Sequence, residues 1–381
     1  MNRRQFLTVA GGGIILAAGA SIGHVATRVP KTALQPWAEA GSRYDEPRRN
    51  ALSYAILAPN PHNRQPWLVD LSIPDTVVLR VDRERLLPHT DPFNRQITIG
   101  LGCFLEVMEM AAAANGYRVA LELFPEGASS AALDDRPVAV AVFSKDATVA
   151  ADPLFAHVLA RRSLKEPYDT TRGVTTEILD SLKRAATSSS KVGVSNNTAS
   201  VDALRRLTNA AMDIELKTPR AFKESVDLFR IGHREIDANP DGIDFSGPLF
   251  EMLHLTGQMT REGTLDTSSS MFAQGRTALL ENTDTAMAYV WQVTTTNARE
   301  DQIGAGRDWV RINLAATAAG VGTQPLSQAL QEYPEMKKLY AQVHDMLAGD
   351  GGTVQMLARL GYAEPVPVSP RWPLSAKIQK E

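Results

Sequence analysis

The stretch that decides the fold is Ile99–Gly116, IGLGCFLEVMEMAAAANG, which returns in altered form as Ile303–Gly320, IGAGRDWVRINLAATAAG. At one constant offset, Gly102 falls on Gly306 and Gly116 falls on Gly320. The further agreements are Ile99/Ile303, Met110/Leu314, Ala111/Ala315, Ala112/Ala316 and Ala114/Ala318. Buried Ala-rich helices resemble one another wherever helices pack closely, which is the alternative explanation. Agreement at both glycines favours an old duplication within the chain.

The segments around these stretches have the patterns of helices and strands. Helical spacing of apolar residues predicts helices over 50–58, 99–114, 176–186, 201–216 and 302–319. Alternation and β-branched content predict strands over 67–73, 76–82, 118–124, 137–143 and 286–296. Residues 28–48, which carry Pro and Arg, are interpreted as a linker.

The second half is longer than the first in front of its long helix. The spacing in sequence between the two early helices, 50–58 and 176–186, is about 76 residues shorter than the spacing between the two long helices. The second half therefore carries an insertion of about that size. Residues 219–266 are its natural candidate. An insertion in one copy of a duplicated fold suggests one composite site with a lid-like segment over it.

Composition and residue counts exclude several classes of protein. The chain has 381 residues, 44% of them hydrophobic and 22% charged, which fits two globular domain-sized units. Lys plus Arg total 40 against 43 Asp plus Glu, which argues against a dedicated nucleic-acid binder. The single cysteine, Cys103, excludes an internal disulfide, and no histidine pair has metal-ligand spacing, so no metal site is predicted.

The first residues have the pattern of an export signal. Arg3-Arg4 is followed by Phe6-Leu7 and by the uncharged apolar run Val9–Ile22, which is typical of twin-arginine signals. The alternatives are a membrane anchor or a chance basic start, but the run is shorter than the roughly 20 residues that span a bilayer. Residues 1–28 are therefore predicted to direct the folded protein through the twin-arginine export machinery to the periplasm. The protein would stay at the membrane if the signal is not cleaved.

Basic residues form a pattern that suits a phosphorylated ligand. Arg161 and Arg162 stand beside Ser163, a combination that can make bidentate, charge-assisted contacts with a phosphate. Lys165 and Arg371 supply further cations for an anion on the same ligand. Two adjacent arginines alone are more often the solvated end of a helix. They indicate a phosphate site only in combination with Ser163, Lys165 and Arg371.

Three segments together resemble the nitroreductase family of flavin mononucleotide (FMN) oxidoreductases. They are Pro59–Trp67 (PNPHNRQPW), Arg161–Asp169 (RRSLKEPYD), and Arg359–Tyr362 with the Pro-rich run to Pro373. The first matches the family's A-P-S-S-x-N-x-Q-P-W segment, with Asn60 and Pro61 in place of the two serines.

The resemblance implies a set of FMN-binding residues. Arg161, Ser163 and Lys165 match the family's phosphate and flavin-edge positions, and Arg371 matches the phosphate-binding residue of the tail. The segment Gly320–Ser327 resembles the loop whose backbone N–H faces flavin N5. The implied cofactor-binding residues are Pro59, Asn60, Pro61, Asn63, Gln65, Arg161, Arg162, Ser163, Lys165, Pro325, Leu326, Ser327 and Arg371. No side chain is assigned a catalytic role.

The order of the segments resembles the tandem, Acg-like branch of the family. The R-x-S segment follows the Pro59–Trp67 segment here, whereas in ordinary members it comes first. A fused chain could supply both from different halves. The resemblance therefore implies an α+β, nitroreductase-like fold with two pseudo-symmetric halves, 29–150 and 151–381, each a sheet flanked by helices. The chain would be a monomer that acts as a pseudo-dimer.

Two functions follow from the resemblance. The first is two-electron transfer to a small acceptor, a quinone or a nitro compound, from a small-molecule electron donor. The second is a flavin store with little turnover, because the 219–266 insertion could cover the flavin face. Neither function involves nucleic acid or stable insertion into a membrane.

Overall fold

The computed structural model describes residues 28–188, 190–349 and 351–381. Its helices are α1 Gln35–Glu39, α2 Pro47–Ala55, α3 Arg95–Ala114, α4 Thr176–Ala185, α5 Thr198–Lys217, α6 Pro219–Asp227, α7 Gly232–Ala238, α8 Pro248–Leu255, α9 Arg261–Leu265, α10 Ser270–Asp284, α11 Arg299–Ala318 and α12 Lys337–Leu347. Its strands are β1 Trp67–Asp70, β2 Thr76–Val81, β3 Tyr117–Leu123, β4 Ala139–Lys145, β5 Lys191–Ser195, β6 Phe229–Ile231, β7 Ile243–Phe245, β8 Ala288–Thr294, β9 Gly322–Pro325, β10 Thr353–Gly361 and β11 Ile378–Lys380. The predicted export signal lies outside the described residues.

The two main sheets have the same topology. In the first, the order β1-β2-β4-β3 is antiparallel throughout, and the long helix α3 connects β2 to β3. In the second, the order β5-β8-β10-β9 is also antiparallel, and α11 connects β8 to β9. Each of these four strands and the long helix of one half therefore has a counterpart in the other, and the predicted α+β class with two pseudo-symmetric halves is confirmed.

The long helices α3 and α11 cross at the two matched glycines. A Cβ added to Gly102 would clash with the backbone carbonyl of Ile303, and one added to Gly306 would clash with the carbonyl of Ile99. The two contacts are equivalent, because each joins a glycine of one helix to an isoleucine carbonyl of the other. Such a reciprocal pair is what a two-fold interface requires. Cys103 is buried at this crossing, where its thiol donates to the carbonyl of Gly306. The crossing therefore lies on the pseudo-two-fold axis of the molecule.

The extra segment of the second half lies at a hairpin connection. In the first sheet only residues 71–75 join the two neighbouring strands, whereas residues 196–287 join the equivalent strands of the second sheet. The inserted segment is thus longer than the range 219–266 expected from sequence. It contains helices α5–α10 and the small parallel pair β6–β7.

The end of the chain returns to the first half. Strand β11 pairs in parallel with β1, adding a fifth strand to the first sheet. Among the described helices, α3 is the one that is long and apolar enough to cross a membrane, and it is largely buried inside the protein. Its apolar character therefore reflects the core between the halves, where α3 packs against α11.

Candidate functional site

The segment Pro59–Trp67 forms a strained loop between α2 and β1. His62, Asn63 and Gln65 have φ values of 47°, 50° and 52°, a left-handed conformation that is uncommon for residues other than glycine. The side chain of Asn60 holds the loop, since its Oδ1 accepts a hydrogen bond from the backbone N–H of Gln65 at 2.7 Å. Such strain persists only where the surroundings enforce it, and it is concentrated at functional sites.

The amide side chains of this loop bind the C-terminal tail. Asn63 Oδ1 accepts a hydrogen bond from Arg371 Nη1 at 2.6 Å, and Asn63 Nδ2 donates to the carbonyl of Pro370. Gln65 is fully buried and its Oε1 accepts from the backbone N–H of Trp372. Lys377 donates to the carbonyl of Gln65 at 2.8 Å, and burial lowers the pKa of Lys377 to about 7. Both amides therefore position the loop against the tail.

Two buried arginines meet at one backbone carbonyl. Arg161 Nη2 and Arg371 Nη2 both donate to the carbonyl of Leu57 at 3.1 Å, and the two residues are 4% and 2% exposed. Their other acceptors in the described part of the chain are also neutral: Asn313 for Arg161, and Ala58, Asn63, Ser369 and Pro370 for Arg371. Arg371 Nε has no hydrogen-bond partner.

Burial and mutual repulsion act on this pair. Burial lowers the pKa of Arg161 to about 10. Burial, with the charge of Arg161 as the next cause, lowers the pKa of Arg371 to about 9. Both groups remain cations at neutral pH, and neither is in direct contact with a carboxylate of the described residues. An uncompensated buried charge is costly, so an anion bound at this position would stabilise the pair.

Arg162 and Trp37 extend the cationic cluster. The guanidinium of Arg162 lies 5.2 Å from the centroid of the Trp37 ring, and that of Arg371 lies 5.5 Å from the same ring. Arg162 is half-buried and donates to the backbone carbonyls of Val366, Leu159 and Arg161. The interpretation of residues 28–48 as a linker is wrong, because α1 buries Trp37 in this site.

Lys165 lies at the exposed side of the cluster and Ser163 is half-buried beside it. Burial, together with the charges of Lys165 and Arg64, lowers the pKa of His62 to about 4, so His62 is neutral at pH 7. His62 Nδ1 is buried without a hydrogen-bond partner. The charge of Lys165 therefore acts on the strained loop.

The segment Pro325–Ser327 joins the site through the second sheet. Pro325 ends β9, and Leu326 is buried with its N–H bonded to the carbonyl of Leu357. Leu164 N–H donates to the carbonyl of Thr323 at 2.9 Å, which ties the Arg161–Lys165 segment to the same strand. Asn313 of α11 contacts both Arg161 and Thr323. Pro325 and Ser327 are only partly buried, whereas Leu326 points into the core.

The inserted segment docks directly on the strained loop. Gly242 N–H donates to the carbonyl of Asn63, and the carbonyl of Pro240 accepts from Gln65 Nε2 at 2.7 Å. The buried carboxylate of Asp241 is bound by Arg64, Arg85 and Arg230. Residues 240–245 are therefore held at the site by hydrogen bonds and a buried ion cluster.

Sequence reasoning missed several residues of this site. The Leu57 carbonyl is a backbone group. It belongs to the site only because the fold brings Arg161 and Arg371 to it. Asp241 belongs to an insertion without a recognisable motif. The only sequence signal that could have pointed to Asp241 is the number of arginines in and near the loop, including Arg64 and Arg85.

The comparisons with known proteins agree with the motifs. No family model matches the chain. A proposed NAD(P)H nitroreductase of Mycobacterium tuberculosis, acg, is 26% identical over 346 residues, which cover 86% of this chain and 93% of that protein. A second proposed NAD(P)H nitroreductase of the same organism is 24% identical over 340 residues, covering 87% and 90%. A solved structure of a proposed nitroreductase from Anabaena variabilis aligns over 90% of this chain and 91% of its own, at 12% identity and a TM-score of 0.39. The two mycobacterial relatives support the resemblance to the nitroreductase family.

Proposed function

We propose that this chain is an FMN-dependent oxidoreductase of the nitroreductase type, which transfers two electrons from a small-molecule donor to a quinone or nitro compound. The names of the two mycobacterial relatives and the family motifs support the reaction class. The FMN-binding residues proposed are those that the motifs mark. The observation that carries the proposal is the buried pair Arg161 and Arg371.

The pair fits the phosphate of FMN. Two buried cations share one neutral acceptor, and one of their N–H groups is unpartnered. A phosphate dianion would neutralise both charges and accept the free donor, through charge-assisted hydrogen bonds that are about twice as strong as neutral ones. Arg162 is a further cation of the cluster, since its guanidinium contacts the same Trp37 ring as that of Arg371. A neutral ligand would leave the buried charges uncompensated.

The protein supplies binding and orientation, and FMN when bound would supply the two-electron chemistry. Asn63 fixes the guanidinium of Arg371 by the 2.6 Å hydrogen bond. The exposed ammonium of Lys165 provides positive charge at the mouth of the site. The segment Pro325–Ser327, anchored through Leu326, offers its backbone beside the Arg161–Lys165 segment.

The decisive experiment is reconstitution followed by anaerobic mixing. The purified protein is expected to bind FMN with a 1:1 stoichiometry. Addition of NADPH or a reduced quinone is expected to bleach the flavin absorbance near 450 nm, and a quinone or nitro compound is expected to restore it. A protein that cannot be reconstituted with FMN would refute the proposal.

A flavin store is the second candidate, and one observation favours it. Residues 240–245 are bonded to the strained loop and pinned by the Asp241 ion cluster, which could restrict access to a bound flavin. A store predicts that dithionite alone reduces the flavin. The same result with Asp241→Asn, in which the cluster is weakened, would distinguish a store from an enzyme with a closed lid.

We also propose that the protein is exported folded through the twin-arginine machinery and acts as a monomeric pseudo-dimer of the Acg-like branch. Support comes from the Arg3-Arg4 pattern and from the matched halves. Arg3→Lys with Arg4→Lys is expected to keep the full chain in the cytoplasm, as cell fractionation would detect. Unchanged export of this variant would contradict the signal assignment.

A further inference from the structure

The docked insertion brings one acidic side chain to the cationic site. Strand β7 follows directly on the segment that bonds to Asn63 and Gln65. The Asp241 cluster fixes the start of that segment, and the rings of Phe229 and Phe250 pack against Phe245 at its end. Asp244 lies between these two anchors, so its position is determined on both sides.

The segment that carries Asp244 lies beside the proposed FMN site, because Gly242, two residues earlier, donates to the carbonyl of Asn63, and Asn63 Oδ1 accepts from Arg371. Burial raises the pKa of the Asp244 carboxyl, while the charges of Lys165 and then Arg371 oppose that rise. It forms no direct ion pair within the described residues. Arg230, its neighbour across the β6–β7 pair, is bound to Asp241 instead. Lys165 and Arg371 are therefore the cations whose charges act on Asp244, and the charges of Arg161 and Arg162 act in turn on Arg371.

We infer that Asp244 is a built-in counter-charge that competes with the ligand's phosphate for Lys165 and Arg371, so that the insertion sets the affinity of the site for anionic ligands. The inference rests on the proposed function and deepens it. An ionised Asp244 opposes the entry of a dianion across a partly desolvated site, where like charges interact strongly. The site should therefore discriminate between ligands by their charge.

The competition has a defined pH dependence. Asp244 is a carboxylate at high pH and becomes neutral as pH falls through its raised pKa. As the pH falls, the affinity of the wild type for the anionic ligand should therefore rise towards the affinity of a variant without the carboxylate. Arg161 and Arg371, with pKa values of about 10 and 9, stay charged below pH 8. His62, with a pKa of about 4, stays neutral above pH 5.

The test compares FMN with riboflavin, which has the same ring and no phosphate. Asp244→Asn is expected to tighten FMN binding about tenfold near pH 8, measured by quenching of flavin fluorescence. Its effect on riboflavin should be less than about twofold. The difference in FMN affinity between the wild type and the variant should shrink as the pH is lowered. The phosphate of FMN also loses charge as the pH falls, which weakens its repulsion by Asp244 and changes the affinity ratio in the same direction.

Glu262→Gln is the matched control, because it removes one negative charge from an exposed position of the same insertion. It should leave the affinity for both flavins unchanged. Equal changes for FMN and riboflavin in Asp244→Asn would show a structural role and overturn the inference, as would a pH-independent ratio. Failure of the wild type to bind either flavin would instead refute the proposed function. Thermal shift by inorganic pyrophosphate, stronger in Asp244→Asn than in the wild type, tests the competition without any flavin.

Discussion

Replacing Arg161 with methionine is expected to weaken FMN binding by roughly 100- to 1000-fold and to leave the flavin-free protein at least as stable as the wild type. Losing a buried, charge-assisted contact costs about 3–4 kcal/mol of binding at this level of affinity loss, within the range found for buried charge pairs. The flavin-free protein loses only two hydrogen bonds, of 3.1 and 3.3 Å. Its Leu57 carbonyl still accepts from Arg371. Exchanging an unpaired buried cation for an apolar side chain is often neutral or stabilising.

Two measurements separate these effects. Titration with FMN gives the dissociation constant, and urea denaturation of the flavin-free protein gives the free energy of unfolding. Arg184→Met is the control, because Arg184 is exposed near the end of α4. FMN affinity within about threefold of the wild type in Arg161→Met would show that the buried arginines serve packing and not phosphate binding.

Gly306→Ala is expected to destabilise the protein by roughly 3 kcal/mol or more, because the added methyl group would clash with the carbonyl of Ile99 and the backbone N–H of Cys103. Backbone atoms of a buried helix cannot rotate away as a side chain can. Relief requires α3 and α11 to separate along the pseudo-two-fold axis. The free energy of unfolding, from urea titration followed by circular dichroism, measures the cost.

Gly304→Ala is the matched control on the same helix. The nearest atom to its added methyl group is Ser188 Cβ at 3.7 Å, an ordinary van der Waals distance. This variant should be as stable as the wild type or up to about 1 kcal/mol more stable, since alanine favours helix over glycine. A similar loss in Gly304→Ala would mean that the crossing with α3 is not the cause of the loss in Gly306→Ala.

The repeated elements of the fold could be predicted from the sequence because each carries its own periodicity. The predicted helix over 99–114 lies within α3, and the predicted strand over 76–82 matches β2 within a residue. The predicted strand over 67–73 ends earlier, at Asp70. Strand β10 was missed, since its middle residues are buried on both faces and show no alternation. The paired topology of the sheets depends on long-range contacts that no local pattern contains.

The site was predictable where chemistry depends on residue type and spacing, and not where it depends on packing. Arg161 and Arg371 were singled out by charge, and the structure brings them to one carbonyl. Gln65 was expected at the ligand, and its side chain is bonded within the protein. Trp37 and Asp244 reach the site only because the N-terminal segment and the insertion fold back over it. No spacing of residues in the sequence predicts these long-range contacts.

The crossing of α3 and α11 has a consequence for how this molecule can change over evolutionary time. At a two-fold interface between identical subunits, one mutation alters both sides of the contact at once. Here the reciprocal contacts Gly102–Ile303 and Gly306–Ile99 are encoded at four separate codons. Neither glycine can therefore change alone without a clash at the crossing, but the rest of each half can change independently of the other. One half can thus carry an insertion that the other lacks, as at 196–287.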